Sequence, residues 1–197
     1  MTVQKLGILG GTFDPIHVGH LRLGIEAVER LGLDRLVFEV AAVSPLKTGA
    51  ATTEGDVRAE MVIAAIEGLE RTEAGMQEIK RDGPSYTVDT LDYYSPQASE
   101  IVLILGSDAL AAFDRWKDPE GILERASLAV AGRPGFGVSE AMRHLPRPWH
   151  ERIEVFDARP IDLSATEIRT KIRAGKSIRF LTPDPVVQII RERRLYV

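Results

Sequence analysis

Five short runs rich in Val, Ile and Leu recur along the chain, at residues 5–9, 35–40, 101–105, 127–132 and 153–156. IVLIL at 101–105 is the plainest; it has no polar alternation, the pattern of a strand covered on both faces. Between the runs lie longer segments with apolar positions at helical spacing, which predict helices over 19–31, 57–70, 86–94, 119–126, 139–145, 164–174 and 183–194. In the first of these, Leu21, Ile25 and Val28 form one apolar stripe, with Gly24, Ala27 and Leu31 beside it. Strands alternating with helices predict an α/β class: a single Rossmann-like open parallel sheet, doubly wound, with helices on both faces. Ligands of such sheets bind beyond the carboxyl ends of the strands, so the residues that follow each run are the candidates for chemistry.

No repeat, low-complexity stretch or interdomain linker interrupts this series; RPGFG at 133–137 and LPRPWH at 145–150 read as surface loops. With 197 residues, 1–197 is expected to form one domain. A composition of 44% apolar and 27% charged residues excludes a disordered chain. There is no apolar run of membrane-spanning length, no secretory-type N-terminus and no cysteine, so the expected location is the cytoplasm, with no membrane partner. The formal net charge of −4 argues against a broad basic face for nucleic acid, and RERR at 191–194 reads as a solvated helix face. Any phosphate site must therefore be local.

The first run ends in GGTFDPIHVGH, residues 10–20. Gly10 and Gly11 allow a close backbone approach, but the spacing matches neither the dinucleotide-binding fingerprint nor the P-loop. AGKS at 174–177 is a decoy, because Thr170 stands where the first P-loop glycine belongs and a helix precedes it. Asp14-Pro15 marks a turn, and His17, Gly19 and His20 open the first helix. A helix start offers free N–H groups and partial positive charge, and imidazoles there add donors, so the loop reads as an anion site. Two histidines are too few for a stable zinc site, and a metal-dependent hydrolase built on His17, His20 and Asp14 is the weaker reading.

GGTFDPIHVGH resembles the signature of the nucleotidylyltransferases with an H-x-G-H motif, and in this extended form that of the bacterial nicotinate-mononucleotide adenylyltransferases. The resemblance implies the nucleotidylyltransferase type of fold and puts Gly10, Gly11, Thr12, Phe13 and Gly19 on ATP, with His17 and His20 catalytic. LSATEIR at 163–169 is similar to the family's second motif. Ser164 and Glu167 make a capping box there, and Ser164, Thr166 and Arg169 are placed to converge on a triphosphate, Arg169 as a catalytic cation. GSDAL, after the run at 101–105, resembles the segment that brings Gly106 and Asp108 to the nucleotide. RDGPSYTVDTL, FDRW and the arginine of RP at 133–134 imply a mononucleotide site: Tyr86 and Thr87 at the pyridine carboxylate, Trp116 stacked on the ring, Arg133 on the phosphate. The closing LTPDPVVQIIRERRLY extends the resemblance to residue 196. One departure stands out. Where the family commonly has Pro-Pro-His-Lys, this chain has Ser44-Pro45-Leu46-Lys47, which keeps Lys47 as a phosphate contact and loses the histidine. Residues 48–56 read as a mobile loop, and Arg58 after it is expected to pair with a glutamate of its own helix rather than to reach a phosphate.

The reaction the resemblance implies joins nicotinate mononucleotide to the adenylyl group of ATP, giving nicotinate adenine dinucleotide and pyrophosphate, with Mg2+ carried mostly by ATP. Related readings are a pantetheine-phosphate or a nicotinamide-mononucleotide adenylyltransferase. A non-catalytic nucleotide sensor is the reading from another class.

Overall fold

The computed structural model describes residues 2–42, 53–81, 83–132, 137–158 and 161–197. Six strands form one parallel sheet: β1 (Val3–Gly11), β2 (Arg35–Val40), β3 (Thr72–Gly75), β4 (Ala98–Gly106), β5 (Ser127–Gly132) and β6 (Ile153–Asp157). Their order is β3-β2-β1-β4-β5-β6, so the winding reverses between β1 and β4. The reversal opens a crevice at the carboxyl ends of those two strands.

The sheet explains why the runs lack alternation. Leu36, Phe38 and Val40 of β2 and Val102 and Ile104 of β4 enter one core, which is closed by α1 (Val18–Leu31), α2 (Gly55–Ile66), α8 (Ala165–Arg173) and α9 (Asp184–Glu192). Val37, Leu103 and Leu105 point the other way, into a second core under α4 (Thr87–Tyr94), α5 (Ser107–Ala111), α6 (Pro119–Arg125) and α7 (Val138–Arg143). With a core on each face, both sets of a period-2 strand are apolar. β3, TEAG, escaped the sequence reading because it is a four-residue edge strand without an apolar run; the short α3 (Gln77–Lys80) follows it.

In α1 the buried positions are Leu21, Gly24, Ala27, Val28 and Leu31, whereas Ile25 is 39% exposed. The stripe is rotated from the one expected. Gly24 lies against β2, where a Cβ would fall 2.4 Å from Phe38 Cζ and 2.9 Å from Leu36 Cδ2, so the helix turns its small residues to the sheet and Ile25 outward. Gly32, with φ +62°, ends α1 in the left-handed conformation that glycine adopts at least cost. Among the described residues no helix is long and apolar enough to cross a membrane.

Candidate active site

β1 runs out at Gly11 and α1 starts at Val18; the chain between them turns through Phe13, φ +49°, and a cis Asp14-Pro15 peptide. His17 is the N-cap of α1. Its Nδ1 accepts from the Gly19 amide at 3.2 Å, and His20 Nδ1 accepts from the His17 amide at 3.3 Å. Two histidines thus form the reciprocal box that Ser or Thr and Glu more often supply. Gly19 sits tightly here, since a Cβ there would stand 3.0 Å from the His17 ring and the ring would have to give way. The two rings stack with centroids 3.7 Å apart. Since each Nδ1 accepts, each neutral ring carries its proton on Nε2 and keeps a donor there. Burial pushes the His17 pKa down to about 4, so His17 is uncharged at neutral pH.

At the switch point lies a cavity of about 570 Å³, a size suited to a small-molecule ligand. One wall is Gly10, Gly11 and Thr12 with His20, and Gly106 closes it from β4. The opposite wall contains Tyr86, Thr87 and Thr90 of the α4 region with Arg115, Trp116 and Lys117. Tyr86 caps α4 without a side-chain hydrogen bond of its own, and the helix start meets the cavity at Tyr86 and Thr87. Trp116 packs on Phe113, and its Nε1 is buried with no acceptor among the described residues. Lys117 Nζ lies 4.2 Å above the Tyr86 ring and 3.7 Å from Asp89. Sequence reasoning passed over Arg115 and Lys117, although both flank Trp116 in FDRWK.

Several expected contacts do not line this cavity, His17, Gly19, Thr166 and Arg169 among them. Phe13 is 2% exposed; its ring packs edge-on beneath His20 at 5.0 Å and against Phe38, so it supports a wall from inside the core. Asp108 is exposed on α5. Ser164 caps α8 by accepting from the Glu167 amide at 3.1 Å, but Glu167 faces Lys171 at 3.8 Å and only this half of the box is formed. Thr166 Oγ1 accepts from Arg169 Nη2 at 3.1 Å, and Arg169 Nη1 donates to the Asp14 carbonyl at 2.7 Å. That bond joins the second motif to the first loop across 155 positions. Lys47 and Arg133 lie outside the described residues, as do Leu46 and residues 48–52 of the expected mobile loop.

Arg58 overturns its sequence reading. It is 2% exposed and pairs with no glutamate among the described residues; its guanidinium donates to the carbonyls of Thr53 at 3.0 Å, Thr12 at 2.7 Å and Ala41 at 2.7 Å. It is a clamp between α2, the first loop and the end of β2. A second buried network lies behind α4. Glu39, fully buried, accepts from Tyr94 Oη at 2.7 Å and from the Glu78 amide at 2.9 Å, and Glu78 accepts from Thr90 Oγ1 at 2.7 Å. Burial raises the Glu39 pKa, with the nearby Glu78 carboxylate adding to the rise. Neither carboxylate was legible in the sequence, which offers no motif for a polar group taken into a strand.

The family model for cytidylyltransferase-like proteins matches residues 8–171. A probable nicotinate-nucleotide adenylyltransferase of Rubrobacter xylanophilus is 39% identical over 198 residues, covering 98% of this chain and 92% of its own. One from Clostridium botulinum is 33% identical over 197 residues, covering 98% of each chain. Among solved structures, the Plasmodium falciparum nicotinic acid mononucleotide adenylyltransferase complexed with NaAD aligns over 98% of this chain and 97% of its own, with a TM-score of 0.72 at 16% identity. At that identity the likeness concerns the fold.

Proposed function

The chain belongs to the cytidylyltransferase-like family and, through relatives 33–39% identical over nearly its whole length, to the nicotinate-nucleotide adenylyltransferases, and from that premise we propose how its own residues carry out adenylyl transfer. The substrates are ATP and nicotinate mononucleotide, and the products are nicotinate adenine dinucleotide and pyrophosphate. The observation that carries this reading is the two-ended cavity: a glycine loop and His20 at one end, and the start of α4 beside Trp116 at the other.

A phosphate monoester loses its second proton near about pH 6, so the mononucleotide phosphate is already a nucleophile at neutral pH and needs no general base. One of its oxygens bonds to the α-phosphorus of ATP as the bond to the bridging oxygen breaks, and that electron pair leaves with pyrophosphate. The protein's part is alignment and charge. Gly10, Gly11, Thr12 and Gly106 line the ATP end. His17 and His20 offer Nε2–H donors, and Arg169 supplies fixed charge, with Ser164 and Thr166 at its helix start. Tyr86 and Thr87 present amides to the pyridine carboxylate, Trp116 stacks on the ring, and Lys47 and Arg133 serve the phosphate. Among the described residues no three acidic or imidazole groups gather to hold a metal ion. The donors toward the cavity suit a polyphosphate instead, and magnesium enters with ATP as part of the substrate.

The test is pyrophosphate release with magnesium and ATP, offering nicotinate mononucleotide, nicotinamide mononucleotide and phosphopantetheine in parallel. Fast turnover of the first alone is expected. Preference for either of the others, or ATP binding with no turnover, overturns the assignment. A labelled protein trapped after incubation with ATP alone would exclude direct transfer.

A further inference from the structure

The loop that seats the two histidines is held from the far end of the chain. Arg169 reaches the Asp14 carbonyl, Thr182 Oγ1 donates to the Ile16 carbonyl at 2.7 Å, and the Val18 amide donates to the Leu181 carbonyl at 3.0 Å. The last of these anchors is Tyr196, whose phenol donates to Asp14 Oδ1 at 2.6 Å across 182 positions. Tyr196 is 8% exposed while its neighbour Val197 is 88% exposed. To bring the ring inward its backbone takes φ +65°, a conformation that costs a residue with a side chain energy. Burial and the Asp14 carboxylate raise the phenol pKa, so it stays a donor at any working pH. Asp14 is itself 3% exposed, and its charge also acts on Arg58, the clamp on Thr12.

We propose that Tyr196 is a positioning residue for adenylyl transfer: by holding the Asp14 carboxylate it fixes the backbone from which Arg169 takes its place and on which His17 and His20 are mounted. It does not line the cavity. The inference rests on the function proposed above. A phenol that only stabilised the fold would change the melting temperature and leave turnover alone. One that sets the geometry of the reacting groups changes kcat, because a misplacement of about 1 Å costs on the order of 100-fold in rate while binding contacts survive.

Pyrophosphate release is measured at saturating ATP and nicotinate mononucleotide, below the melting transition of each protein. Tyr196→Phe is expected to lower kcat at least about tenfold with both KM values within about threefold. Removal of Val197 is expected to leave both unchanged. Asp14→Asn, which keeps the Oδ1 acceptor, is expected to retain kcat within about fivefold, and Asp14→Ala to lose it as Tyr196→Phe does. Combining Tyr196→Phe with Asp14→Ala should be no worse than the worse single change, since both act on one path. Wild-type kcat in Tyr196→Phe, or effects that multiply in the double variant, overturns the proposal. If Tyr196→Phe does not fold, equal rates for Asp14→Asn and Asp14→Ala overturn it. A wild-type protein that releases no pyrophosphate overturns the functional reading and this inference together, whereas normal wild-type turnover with an unaffected Tyr196→Phe overturns this inference alone.

Discussion

His17 and His20 hold each other's place: the His17 amide donates to His20 Nδ1, His17 Nδ1 takes the amide of the intervening Gly19, and the rings stack at 3.7 Å. Helix capping and the placing of the two imidazoles are thus one arrangement, and substitution can separate them. His17→Asn keeps an N-cap acceptor and loses Nε2, so it should stay within about 1 kcal/mol of wild-type stability while kcat falls at least about 100-fold. His20→Ala should also lower kcat far more than stability, since half a capping box is worth about 1 kcal/mol. Denaturant unfolding beside initial rates checks both; unchanged turnover in His20→Ala removes it from the mechanism.

Stability should depend on the charge of His17. An unfolded histidine titrates near about pH 6.5 and the buried one near about 4, so between these values the unfolded chain binds a proton that the folded chain refuses. Stability is full above that window and falls as pH drops through it, by on the order of 3 kcal/mol. His17→Asn should flatten this slope. Glu39, whose pKa is raised, gives the opposite slope in both proteins and cancels in the difference. Identical slopes from pH 7 to 4 would contradict the assignment.

Arg58→Met should be costly although no substrate role is assigned to Arg58. It strips the donors from the carbonyls of Thr53, Thr12 and Ala41, and a loss of at least about 3 kcal/mol is expected. A melting temperature within a degree or two of wild type would show that the clamp is dispensable.

Gly24→Ala sets two effects against each other. Alanine gains about 1 kcal/mol of helix propensity, but its methyl would lie 2.4 Å from the Phe38 ring, and overpacking costs about 1–3 kcal/mol. A net loss is expected, readable as a lower unfolding midpoint. A more stable variant would mean that α1 shifts freely on β2, and with it the seat of His20.

The sequence by itself determined the layered fold and most of the first loop. Unbroken apolar runs such as Ile101–Leu105 leave a strand no solvent face, and glycines, an Asp-Pro turn and two histidines after β1 mark a loop built to meet an anion. Those signals are local: each depends on neighbours within a few residues. Only the tertiary structure decided that Phe13 supports His20 from the core, that Arg58 ties backbone rather than a glutamate, and that Ile25 turns outward. It alone brought Asp14 to Arg169 and Tyr196 across 155 and 182 positions and buried Glu39 beside Tyr94 and Glu78. The reason is that a buried polar group needs a partner, and where that partner stands is set by how the elements pack.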